Sequence, residues 1–369
     1  MKAHKHNLLI KMNNDTYPVA FVDDVFCDVK PELANLLREV TGVEKPRMLL
    51  VADMNVVQRI EGLGTKIGRY LQVHGIELAA SPVVVSGSEK AKADDLQSAM
   101  RIASAAISAK VGANDVMVVM GGGSMLDVAC WAAAQVRGGV RVVRMPTSVA
   151  AMIDAAYAEY AALDYCGVKD SLRIACAPSA VVVDTTFATT VLDGVWRAGF
   201  AEAVRVAAVS DAALFERISS LAKPFSTRDF AAMGEIVRAS VESRRSKGTT
   251  PFGLWAALRL ESMSGYKVPH GYAVAIGIVV DSYYACLRGL ITEAERDRIC
   301  EALQDSGAMD CASHSHHLIA NADSLLRGLD SWQLSHGNVA LTLPKGIGSC
   351  VVEENPDRAT MKEAINMLK

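Results

Sequence analysis

The first half of the chain alternates between two hydrophobic patterns. Short, nearly continuous apolar runs have the length and β-branched content of buried strands: RMLLVAD (47–53), SPVVVSG (81–87), DVMVVMGGG (115–123), VRVVRMPTS (140–148) and AVVVDT (180–185). Between them, 57–75, 90–110 and 124–137 place apolar residues at helical spacing. This alternation predicts a mostly parallel sheet with helices on both faces, an α/β Rossmann-like domain over 1–184. After Asp184 the texture changes to long, Ala-rich, helically periodic segments such as WRAGFAEAVRVAAVSDAALFERISSLA and YAVAIGIVVDSYYACLRGL. The second half, 185–369, therefore reads as a mainly α-helical domain, with one late strand or hairpin at NVALTLPKGIG (338–348).

At 369 residues and 51% hydrophobic, the chain is long and apolar enough for two cores. A net charge of −3 without a Lys or Arg run argues against nucleic acid as the main partner and leaves a small anionic substrate open. The most apolar window, VMVVMGGGSMLDVACWAAAQV, contains three glycines and Asp127, so it reads as strand, turn and helix rather than a membrane span. The start has no apolar core of a signal peptide, and the eight cysteines show no CxxC pair. A cytoplasmic protein with reduced core thiols is the expectation.

The sharpest local signal is GGGSMLD (121–127), directly after a strand. Glycines there let backbone N–H groups approach a pyrophosphate, and the helix N-terminus behind them favours its charge. The spacing is not GxGxxG, so a ligand-free strand-to-helix turn stays open as the alternative. Asp53 and Asn55 in VADMN end the first strong strand, where open α/β sheets bind ligands; they suit ribose hydroxyls or serve as turn formers. The cluster SHSHH, with His314, His316 and His317, sits in a polar segment and reads as a solvated loop.

Taken in order, VADMN, SEKAK, GGGSMLD, MPTSVAAMID, APSAVVVDTTF, AGFAEAVR, YKVPHGYAVAIG and LPKGIG resemble the dehydroquinate synthase-like sugar phosphate cyclases. That family includes dehydroquinate synthase and the valiolone- and deoxyinosose-forming cyclases. The resemblance implies an NAD site lined by Asp53, Asn55, Glu89, Lys92, Gly122, Gly123, Asp127, Thr147, Ser148 and Asp154. It also implies a homodimer that takes a sugar phosphate or cyclitol and uses NAD as a transient oxidant, with phosphate elimination and an aldol closure. A divalent metal, zinc or cobalt, polarises the substrate oxygens in that scheme.

The second half departs from the family pattern. The family's metal ligands are a glutamate and two histidines. Glu202 and His270 match the glutamate and the second histidine, but the first histidine position is Leu254, in FGL instead of FGH. A further histidine of many relatives falls on Leu258, and the glutamate after HG is Tyr272. Lys169 and Lys345 match catalytic lysines, Asp170 replaces an asparagine, and three other lysine positions fall on Tyr160, Arg205 and Arg244. Arginine keeps the charge for phosphate but transfers protons poorly. Three functions therefore compete: a sugar phosphate cyclase with an altered metal site, a repurposed NAD-dependent polyol or cyclitol dehydrogenase or lyase, and a catalytically inactive ligand-binding or partner protein.

Overall fold

A computed structural model describes residues 7–12, 15–247, 251–310 and 321–368. The chain divides into two compact units, one up to Val191 and one from Leu192. The three histidines of SHSHH lie outside the described residues.

In the first unit the strands are β1 (Asn7–Met12), β2 (Asp15–Val22), β3 (Arg47–Asp53), β4 (Glu77–Leu78), β5 (Val83–Val85), β6 (Val116–Gly121), β7 (Arg141–Pro146), β8 (Tyr160–Tyr165), β9 (Val168–Ala175) and β10 (Ala180–Asp184). The main sheet runs β1-β2-β10-β7-β6-β3-β4, with β5 also on β3. Every pairing in it is parallel except β1 with β2. Strands β6 and β10 are buried along their whole length, which is why they read as continuous apolar runs. The helices are α1 (Glu32–Thr41), α2 (Met54–Arg59), α3 (Leu63–His74), α4 (Glu89–Lys92), α5 (Gln97–Ser108), α6 (Gly123–Gln135) and α7 (Val149–Ile153). Two single helices expected from periodicity are each split. Gly62 in the left-handed region separates α2 from α3, and Leu96 at φ 69° precedes α5.

The sequence reading contains no counterpart to β1 and β2, nor to the hairpin of β8 and β9. That hairpin packs on α6, and its second strand alternates half-buried with exposed positions. A strand with one wet face lacks the continuous apolar run by which the others are recognised.

In the second unit the helices are α8 (Asp193–Ala198), α9 (Phe200–Ser210), α10 (Ala212–Ser220), α11 (Ala222–Ser226), α12 (Phe230–Lys247), α13 (Leu254–Met263), α14 (His270–Leu287), α15 (Glu293–Asp305), α16 (Ala322–His336) and α17 (Arg358–Asn366). The late apolar segment forms β11 (Ala340–Pro344), paired antiparallel with β12 (Cys350–Glu354). Fourteen of the eighteen residues of α14 are buried, so it is the central helix of this unit.

Helix α13 starts hard against α14. A Cβ on Gly277 would lie 2.0 Å from the Gly253 carbonyl oxygen, and one on Gly253 would lie 2.6 Å from the Ile278 nitrogen. Asp281 locks this start by accepting from the Gly253 N–H and the Trp255 Nε1–H, both at 2.8 Å. Burial pushes the Asp281 carboxyl up to about 7 despite those two bonds. The conflict at Gly277 is with backbone, so Gly277→Ala is expected to cost about 1–3 kcal/mol in a urea unfolding curve. An unchanged midpoint would show that the two helices can separate freely.

Candidate functional site

In the first unit, the C-terminal ends of β3, β6 and β7 bring the NAD-site candidates into view. Asp53 closes β3 and caps α2: its Oδ1 accepts from the Asn55 N–H at 2.8 Å, the Asn55 side-chain amide at 3.1 Å and the Gly87 N–H at 3.3 Å. Burial raises its pKa, partly offset by those bonds. A Cβ on Gly87 would strike the Asp53 carboxylate at 2.0 Å, so any side chain there would displace that carboxylate from its capping position. Gly122 is the N-cap of α6, and no side chain caps that helix. The N–H groups of its first turn therefore point out of a glycine turn. The turn is narrow: a Cβ on Gly122 would lie 3.4 Å from the Ser148 hydroxyl, and one on Gly123 would lie 3.2 Å from Ala155. The Thr147 N–H donates to the Gly121 carbonyl at 3.0 Å, Ser148 caps α7, and Asp154 ends it. Uncapped N–H groups and backbone room that a side chain would fill are what a dinucleotide pyrophosphate requires, so these residues fit NAD.

Beside α6, four of the expected residues form one half-buried ionic network around the buried Lys92. Lys92 donates to Asp127 at 2.8 Å and to Asp170 at 2.9 Å. Lys169 pairs with Glu89 and stands 3.6 Å from Asp164, while Ser124 donates to Glu89. Burial opposes the charge on Lys92, but Asp127, Asp170, Glu89 and Asp164 outweigh it and raise its pKa well above the usual lysine value. Burial likewise pushes the Asp170 carboxyl up, yet Lys92 and Lys169 hold it at about 2. Asp127 comes out raised, burial outweighing its pairing with Lys92. Asp164, 1% exposed, is a member that sequence reasoning missed. Its signal was present: an Asp on the hairpin strand facing Lys169 and Asp170, whose backbone it holds through the Asp170 N–H at 2.8 Å. Tyr160 starts β8 at 57% exposure and lies outside the hydrogen bonds of this network.

In the second unit, Glu202 sits in the first turn of α9 and His270 is the first residue of α14. Glu202 Oε2 accepts from Arg205 Nε at 2.7 Å, both side chains being almost fully buried. His270 Nε2 stands 3.4 Å from Glu202 Oε1, and its Nδ1 is 2.7 Å from Glu261 Oε1. Partial burial opposes protonation of His270, but Glu261 and Glu202 outweigh it and raise its pKa well above 6.5. Glu261, completely buried, is the residue the sequence reading overlooked. It lies seven residues after Leu254 and three after Leu258, so all three occupy one face of α13. A Gly271 Cβ would lie 2.2 Å from the Ala198 carbonyl oxygen, which holds the start of α14 against the end of α8. Tyr272 is buried in the same unit, and its hydroxyl is the atom nearest a Cβ on Gly194.

A divalent metal does not fit this donor set. Catalytic zinc usually takes three protein ligands; Glu202 and His270 offer two, and Leu254 offers none. Among the described residues no group of three or more His, Cys, Asp or Glu side chains is placed to hold a metal ion. Arg244 is buried on α12, whereas Lys345 is exposed in the β11–β12 turn.

Residues 82–197 match the 3-dehydroquinate synthase N-terminal family model, and residues 199–324 match the C-terminal one. A 3-dehydroquinate synthase of Synechococcus sp. (strain CC9605) is 27% identical over 280 residues, covering 72% of this chain and 74% of its own length. A demethyl-4-deoxygadusol synthase of Trichormus variabilis is 26% identical over 372 residues, covering 95% and 86%. Among solved structures, a 2-epi-5-epi-valiolone synthase from Streptomyces hygroscopicus subsp. jinggangensis 5008, with NAD+ and Zn2+ bound, superposes with a TM-score of 0.83. That comparison has 24% identity over 97% of this chain and 98% of the other. A 2-deoxy-scyllo-inosose synthase complexed with carbaglucose-6-phosphate, NAD+ and Co2+ gives 0.80 at 17% identity over 98% and 99%. Among the described residues no helix is long and apolar enough to cross a membrane.

Proposed function

This chain belongs to the 3-dehydroquinate synthase family of sugar phosphate cyclases, and we propose from that premise that it is an NAD-dependent, phosphate-eliminating enzyme acting on a sugar phosphate, with carbocycle formation as the outcome. The observation that carries this reading is the first unit's combination of an uncapped glycine turn at Gly122 with the network of Glu89, Lys92, Asp127 and Lys169. NAD, when bound, supplies a hydride acceptor for a ring hydroxyl. The chain's own part is to hold and polarise: the α6 N-terminus and its glycines seat a pyrophosphate, and Asp53 with Asn55 binds ribose hydroxyls. Arg205, Arg244 and Lys345 supply positive charge in the second unit for an anionic substrate, and Lys169 and Tyr160 are the candidate proton-handling groups of the first.

The second unit's metal corner is read as altered, with Arg205–Glu202–His270–Glu261 as a chain of ion pairs in place of a three-ligand chelate. Leu254 and Leu258, apolar on the face that carries Glu261, favour a second reading: oxidation or elimination on the same scaffold without metal-assisted steps, with a polyol or cyclitol as substrate.

The test is to incubate the purified chain with NAD and a panel of heptulose and hexose phosphates, following inorganic phosphate and carbocyclic products. Phosphate release without net NADH is expected of the cyclase. Net NADH with a non-phosphorylated polyol selects the second reading, and neither NAD binding nor turnover sinks both. In the same experiment, Asp53→Asn keeps the side chain's shape but removes its charge. It is expected to weaken NAD binding about tenfold, the value of one charge-assisted hydrogen bond to a hydroxyl, by titration of protein fluorescence.

A further inference from the structure

A second reactive cluster lies in the first unit around Arg144, with Asp127 the member of the ionic network that acts on it. This residue is on β7 and only 1% exposed. Its guanidinium donates to carbonyl oxygens: Ala158 at 2.7 Å, Ala155 and Ala156 at 3.3 Å, and Cys176. Carbonyls satisfy N–H groups but do not neutralise a buried cation, and Nε has no hydrogen-bond partner. Two cysteines stand beside this cation. Cys130 is completely buried within α6, and Cys176, half-buried, follows β9. The Cys176 thiol reaches the Cys130 carbonyl oxygen at 3.4 Å, and the two side chains are hydrogen-bonded to each other.

We propose that Cys130 and Cys176 form a redox-active dithiol, Cys176 being the nucleophile toward peroxide and Cys130 the thiol that resolves the product to a disulfide. The division of roles follows from placement. Cys176 has access to solvent and lies next to a buried guanidinium held by carbonyl oxygens, the setting that activates a thiolate, with the more distant Asp127 opposing it. Cys130 is shut inside the helix with its sulfur against its partner. The hydrogen bond from Cys130 and then Arg144 draw the Cys176 thiol down to about 7, whereas that same thiol contact and burial push Cys130 up. Burial alone does the opposite of what happens to Cys176: it pushes Cys300, in the second unit, up to about 11.

The chemistry balances with a peroxide as the two-electron oxidant. The Cys176 thiolate attacks one peroxide oxygen and the O–O bond breaks. This leaves Cys176 as a sulfenic acid, and the departing hydroxide takes a proton to become water. The Cys130 sulfur then attacks the sulfenic sulfur. An S–S bond forms, the S–O bond breaks, and the hydroxide leaves as water with the Cys130 proton. An external dithiol reverses the bond.

The full, reduced chain is treated with a slight excess of hydrogen peroxide and read by intact mass and non-reducing peptide mapping. Loss of two hydrogens, in a bridged peptide joining Cys130 to Cys176 and reversed by dithiothreitol, is expected. Cys130→Ser is expected to stop at a sulfenic acid on Cys176 that dimedone captures, with no bridge. In the unmutated protein, limiting iodoacetamide at neutral pH is expected to label Cys176 before Cys166 and Cys350, although both are more exposed. Labelling in order of exposure, or a bridge joining any other pair, overturns the proposal. The labelling order is read on the natural chain, so a misfolded variant would not obscure it.

Discussion

Replacing Leu254 with histidine is expected to give a chain that retains about one zinc ion after dialysis, where the natural chain retains far less than one. The expectation rests on how much of a metal centre is already in place. His270 has its Nδ1 2.7 Å from Glu261, the arrangement in which a carboxylate fixes a ligating imidazole and leaves Nε2 for the ion. Glu202 presents Oε1 toward that Nε2 while Arg205 occupies its other oxygen. The missing donor belongs at the start of α13, two turns before Glu261 on the same face, where an imidazole at 254 would replace an isobutyl group. Elemental analysis of both proteins after the same exposure to zinc decides the matter. A full equivalent in the natural chain would show that Leu254 is no obstacle, and no gain in Leu254→His would show that α13 aims the residue elsewhere. In the Leu254→His background, Glu261→Gln is then expected to weaken zinc about 10–100-fold, as loss of a supporting carboxylate does.

What was legible in the sequence, and what was not, follows from burial. The strands β3, β6, β7 and β10 stood out because both their faces are covered, so nearly every position is apolar. The β8–β9 hairpin was hidden because half its side chains face water and because Lys169 and Asp170 look like turn residues in any linear reading. They lie on β9, just past the Cys166–Gly167 turn, Asp170 at φ 51°, and are members of the ionic network as well. Motif order carried the fold, since the Glu89–Lys92 pair, Asp127 and Lys169 are far apart in sequence and only the packing of α4, α6 and the β8–β9 hairpin assembles them. Glu261 was missed for a different reason. A single glutamate on a largely apolar helix carries no local pattern, and its meaning depends on His270 arriving from the next helix. The Cys130–Cys176 pair was equally invisible, because forty-six residues and three intervening strands separate the two cysteines.

Replacing Lys92 with methionine is expected to cost about 3–5 kcal/mol of stability near pH 8, the range for removing one partner of a buried ion pair. Methionine keeps most of the side-chain volume, so the loss is electrostatic: the half-buried Asp127 and Asp170 remain without the ammonium that both touch. The pH dependence has a definite sign. Asp170 is held at about 2, below its unfolded value of about 4, so its contribution is present above about pH 4 and disappears as pH falls through 2. Lys92 is raised above its unfolded value, so its contribution persists to about pH 10 and is lost only beyond it. The natural network is therefore intact across the whole neutral range. In Lys92→Met the orphaned carboxylates are expected to take up protons instead, so the deficit shrinks between pH 8 and pH 5 in parallel urea titrations. Adding Asp170→Asn removes one of the two stranded charges, and the double variant is expected to recover part of the loss at pH 8. If Lys92→Met unfolds at the natural midpoint at both pH values, solvent rather than Lys92 is neutralising Asp127 and Asp170, and the network is looser than its distances indicate. Recovery in the double variant without recovery of NAD binding would separate the two roles of Lys92: holding the fold around α6, and presenting a positive charge beside the glycine turn.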